Sequence, residues 1–65
     1  MKISPMKYYY YNTKDKIIFV YNKNPNNTDN SFLGKSNNTN IKMAAAIFMQ
    51  VHEIKSGFKI KQITS

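Results

Sequence analysis

Two hydrophobic periods divide this chain. From Lys7 to Asn12, KYYYYN, and from Lys16 to Asn22, KIIFVYN, aromatic and β-branched side chains follow one another. The turn formers Asn12-Thr13-Lys14-Asp15 lie between the two runs, which predicts a β-hairpin. Alternate residues of a strand point to opposite faces, so Tyr8 and Tyr10 share one face and Tyr9 and Tyr11 the other. In the second run Ile17, Phe19 and Tyr21 oppose Ile18 and Val20. Both of its faces ask for cover, as expected of a central strand. Pro5 fits at or before the start of the first strand, because it has no N–H to give to a ladder.

From Ile41 to Lys55, IKMAAAIFMQVHEIK, the period changes to that of an amphipathic helix. Ile41, Met43, Ala44, Ile47, Phe48, Val51 and Ile54 fall on one broad arc, opposite Lys42, Gln50 and Glu53. The run Ala44-Ala45-Ala46 favours helix by propensity. Asn38, Thr39 or Asn40 can cap its N-terminus, and Ser56-Gly57 offers a stop with Gly57 in the left-handed conformation. Beyond it FKIKQIT alternates: Phe58 and Ile60 share a face, and Lys59, Lys61 and Ile63 share the other, a half-exposed third strand. The expected fold is a small α+β domain spanning 1–65, ββαβ in chain order, with one helix on a short, mainly antiparallel sheet. The alternative is an all-β small sheet or barrel, since Ile41, Met43, Ala45, Ile47, Met49 and Val51 also alternate with period two. Ala44 and Ala46 are poor strand residues and favour the helix.

Between these elements, residues 22–40 hold eight of the nine Asn. The segment reads as a long loop projecting from one edge, either disordered or ordered by a partner. Phe32 and Leu33, its only large apolar residues, either pin it to the core or dock on a partner.

Composition adds a strong bias. Ten Lys and no Arg against three acids give a net charge of +7. That favours a polyanionic partner, and lysine suits sequence-independent phosphate neutralisation better than bidentate reading of bases. An AT-rich genome would also enrich Lys, Asn, Ile and Tyr. With no Cys and a single His, a chain this short has neither disulfides nor a structural metal to staple it, so a partner is the expected stabiliser. Met1 to Pro5 does not read as a signal peptide, and no segment is long and apolar enough to cross a bilayer, so a cytoplasmic protein without membrane association is expected. The Asn-x-Thr sequons at Asn26 and Asn37 are products of the Asn-rich stretch.

Tests for catalytic chemistry fail. Gly34-Lys35-Ser36 looks like the end of a phosphate-binding loop, but the glycine required five positions earlier is Asp29. His52-Glu53 opens a zinc-protease pattern whose second His would fall at Ser56. Asp15, Asp29 and Glu53 are scattered over turn, loop and helix. No enzyme, cofactor, metal or small-molecule substrate is expected.

The remaining constellation is lysine interleaved with aromatics. Lys7, Tyr9, Tyr11, Lys14, Lys16, Lys23, Lys35, Lys59 and Lys61 are the candidate nucleic-acid contacts, rings stacking on unpaired bases and ammonium groups meeting phosphates. The expected function is a non-enzymatic, RNA-associated structural protein, such as an accessory subunit of a ribosome or another ribonucleoprotein, with ribosomal or other structured RNA and neighbouring proteins of the assembly as partners. The alternative is a protein-binding module, such as a small phage or mobile-element protein, with Tyr8, Tyr10, Phe32 and Leu33 as anchors.

Overall fold

The hairpin forms as its pattern predicts: β1 spans Lys7–Asn12 and β2 spans Ile17–Tyr21, paired antiparallel with Tyr9 opposite Val20 and Tyr11 opposite Ile18. The computed structural model describes residues 5–25 and 28–63, so both ends of the predicted domain and the sequon at Asn26 lie outside the described residues. The turn is held by Asn12, whose Oδ1 accepts from the Asp15 N–H at 2.8 Å and whose carbonyl accepts from the Lys16 N–H at 2.8 Å. To close it, Lys16 takes a left-handed conformation with φ 57°.

The Asn-rich stretch is not loop throughout. Ser31–Ser36 is a strand, β3, antiparallel to β1, so the chain order is βββαβ rather than ββαβ. SFLGKS contains little β-propensity, and its pairing comes from the free edge of the tyrosine strand. The register shifts between Tyr10, opposite Phe32, and Tyr9, opposite Gly34, leaving Leu33 as the extra residue of a β-bulge. The bulge turns Leu33 into the core while Phe32 stays on the other face.

The helix α1 spans Ile41–Val51, which settles the helix-or-strand ambiguity of this stretch in favour of the helix. Asn40 is its N-cap, accepting from the Met43 N–H at 3.0 Å, and Asn38 in turn accepts from the Asn40 N–H at 2.9 Å. The stop comes earlier than Ser56-Gly57. The Glu53 N–H reaches the Gln50 carbonyl and the Ile54 N–H reaches the Met49 carbonyl, a Schellman closure in which Glu53, not Gly57, is left-handed with φ 58°.

β4, Lys59–Ile63, then pairs parallel with β2, giving one mixed sheet in the order β3-β1-β2-β4 that does not close into a barrel. Among the described residues the result is an α+β domain with one helix on a four-stranded sheet. Tyr9, Tyr11, Ile18, Val20, Leu33, Ala44, Ala45 and Met49 make the core, with Ile41, Phe48, Ile54, Phe58 and Ile60 packed around it.

The helix is rotated from the predicted arc. Met43, Ile47 and Val51 are exposed, and Ala45 and Met49 are buried in their place. The cause is the sheet: two tyrosines project from β1 beneath the helix, and small residues let the backbone approach over them.

Candidate nucleic-acid interface

The register fixes which residues share the sheet face away from the helix. Across it lie Phe32 and Lys35 of β3, Tyr8 and Tyr10 of β1, Ile17, Phe19 and Tyr21 of β2, and Lys59, Lys61 and Ile63 of β4. Aromatic rings occupy the middle strands and, at Phe32, the β3 edge, while lysines stand at both edges, an arrangement the alternation of FKIKQIT foreshadows for β4.

The middle of this face is partly covered. Tyr10 is buried, held edge-on by Tyr21 with ring centroids 5.5 Å apart and tilted against Phe32 at 5.0 Å. Its hydroxyl donates to Asn24 Oδ1, so the connection from β2 to β3 reaches over the sheet at this point instead of projecting from an edge. The same connection is tied at its ends, where Lys7 Nζ donates to Asn22 Oδ1 at 2.8 Å and Asn12 Nδ2 donates to Asn30 Oδ1 at 3.0 Å. Such side-chain links replace backbone pairing in a segment with little apolar surface to bury.

Of the predicted contacts, Tyr9 and Tyr11 are corrected. Both lie under the helix, Tyr9 at 0% exposure with its ring 5.0 Å from Phe48, and Tyr11 shares a 3.0 Å hydrogen bond with Ser56 Oγ. Alternation offered either pair of tyrosines to the helix, and pattern alone does not choose. Leu33 is likewise in the core, whereas Phe32 is 50% exposed, so the two residues expected to act together are divided between faces. Lys7 is half-buried and engaged with Asn22. Lys14, Lys16, Lys23, Lys35, Lys59 and Lys61 are exposed, and Tyr8 is half-buried.

Position separates these lysines into groups. Lys35 stands on the β3 edge opposite Tyr8, while Lys59 and Lys61 stand on the β4 edge level with Ile17 and Phe19. The turn joins the second group, because the Lys59 N–H donates to the Lys16 carbonyl at 3.0 Å. Asp15, Lys16, Gly57, Phe58 and Lys59 line a shallow depression there, with one carboxylate among the cationic groups.

A feature the sequence did not reveal lies on the helix. Met43, Ile47 and Val51, spaced by four, form an exposed apolar stripe. The helical pattern includes these residues but assigns them to the core. His52, just past the helix, donates from Nε2 to the Leu33 carbonyl at 2.7 Å and ties the helix end to the bulge of β3. Among the described residues there is no group of three or more His, Cys, Asp or Glu that could hold a metal ion, and no helix long and apolar enough to cross a membrane.

No protein family matches the chain, and neither curated proteins nor solved structures yield a match.

Proposed function

We propose that this protein is a non-enzymatic, RNA-associated structural component of the cytoplasm, an accessory subunit of a ribosome or another ribonucleoprotein. The observation that supports this reading best is the placement of Lys59 and Lys61 beside Phe19, on the sheet face that the helix leaves open, in a chain of net charge +7. Rings beside mobile cations suit unpaired bases and phosphates, and lysine without arginine suits binding that is indifferent to sequence. Gentle purification from the native cell tests the reading: the protein should travel with RNA at low salt and be released as salt rises. Quantitative recovery as an RNA-free monomer at low salt would overturn it.

A second reading is supported by the exposed Phe32 and by the stripe Met43, Ile47 and Val51, with Val51 69% exposed. Apolar surface of this kind suits a protein-binding module, such as a small phage or mobile-element protein docking on a host protein or particle. Complex formation would then survive salt and fall on Phe32→Ala or Ile47→Ala.

A further inference from the structure

The lysines nominated by composition are spread over the whole molecule: on the open sheet face Lys35 stands alone on the β3 edge with Phe32, whereas Lys59 and Lys61 stand together on the β4 edge beside Phe19. Lys59 and Lys61 follow the β4 edge of the sheet, and Lys16 lies at the end of the turn that leads into β2. Lys59 and Lys61 are two residues apart on the same strand and the same face, which separates them by about 6.7 Å along the strand axis. Lys16 adjoins the start of this row: its carbonyl accepts from the Lys59 N–H at 3.0 Å, and both residues line the depression at the turn. Phe19 is level with Lys61 on the neighbouring strand and is half-buried, so part of its ring is open. Tyr10, at the centre of the same face, is buried and bonded to Asn24.

We propose that the nucleic acid bound here is single-stranded, its phosphates passing from Lys16 at the turn to Lys59 and Lys61 along the β4 edge while an unpaired base stacks on Phe19. The inference rests on the RNA-associated reading and narrows it. A linear row of cations follows consecutive phosphates of one strand. A duplex would instead require cations spread over a wide surface, and the middle of this face is occupied at Tyr10 by Asn24. The ring next to the row contributes only if a base face is free to stack, which base pairing prevents. Asp15 lies in the depression beside Lys16 and Lys59, so the phosphate nearest the turn is held less firmly than the one between Lys59 and Lys61. Lys35 is three strands away on the opposite edge and lies outside the row.

The test is fluorescence anisotropy of the intact chain with labelled oligouridylate and with a blunt RNA duplex of equal length, over a salt series. Three phosphate contacts at roughly −0.7 each give a slope of about −2 in log affinity against log salt for the single strand, close to a twentyfold loss between 50 and 200 mM. The single strand should bind at least tenfold tighter than the duplex. Lys59→Gln and Lys61→Gln should each remove about 0.7 from the slope, and Phe19→Leu, which keeps apolar bulk, should weaken binding roughly tenfold at unchanged slope. Lys35→Gln should change affinity less than twofold. Lys16→Gly guards against misfolding as an explanation, because it relieves a left-handed lysine: the melting temperature should rise while affinity falls.

Equal or tighter binding of the duplex would overturn the inference and leave the RNA reading standing, as would a loss with Lys35→Gln as large as with Lys61→Gln. Failure to bind either RNA would overturn both. Binding of a protein partner that ignores salt and follows Phe32→Ala, with no RNA bound, would also overturn both.

Discussion

Tyr9 brings its hydroxyl into the core along with its ring. The oxygen is buried without a hydrogen-bond partner among the described residues, and burial holds the phenol above its ordinary pKa near 10. Two outcomes follow. Tyr9→Phe keeps the ring against Phe48 and removes an unsatisfied group, so it should stabilise the fold by about 1 kcal/mol in denaturant titration. Above pH 10 the unfolded chain loses this proton while the folded chain keeps it. Stability should therefore fall as pH rises through 10 towards the higher folded value, and the fall should be smaller in Tyr9→Phe. A second residue strained by its position is Glu53, left-handed at the close of the helix and negative where the helix end is already negative. Glu53→Gly should raise stability by about 1 kcal/mol, measured by thermal unfolding, with the helix boundary unchanged.

At the scale of the elements, the hairpin, the helix and the last strand were legible because each rests on local pattern. The turn chemistry of Asn12, the cap at Asn40 and the alternation of FKIKQIT are written within a few residues of where they act. β3 was not legible for the opposite reason: Gly34 and Lys35 are weak strand residues, and the strand exists because β1 has a free edge to pair with. The rotation of the helix has the same origin, since the face that Ala44 and Ala45 must meet is set by Tyr9 and Tyr11, far away in sequence. Gly34 joins these two non-local events. It has φ 151°, and a Cβ there would overlap the Phe48 ring, with Cζ at 2.9 Å. Gly34→Ala should thus cost about 2–4 kcal/mol by equilibrium unfolding, from backbone strain and overpacking together. The resemblance of Gly34-Lys35-Ser36 to a phosphate loop has a plain explanation: the glycine makes room for an aromatic ring, and the segment is a strand.

For the molecule as a whole, the two sheet edges differ in character. The β3 edge lies nearest the helix and presents Phe32 and Lys35, whereas the β4 edge is the basic one. The charge excess was legible in composition, but its division between edges depended on a strand order that no local pattern encodes. β4 is joined to the sheet by a single parallel ladder, and Lys59, Lys61 and Gln62 along it are exposed. None of its residues is fully buried and it is paired on one side only, so its amides should exchange with solvent faster than those of β1, which is paired on both sides.

That one-sided attachment gives the parallel pairing of β2 and β4 a thermodynamic meaning. If a polyanion is held along β4, it binds only molecules in which the strand is docked, so binding and docking are linked equilibria. Oligouridylate at one hundred times its dissociation constant would then slow amide exchange in Lys59–Ile63 by up to about a hundredfold, while the β1–β2 ladder changes far less. A strand that frays in isolation would behave as a latch, closed by the ligand it grips.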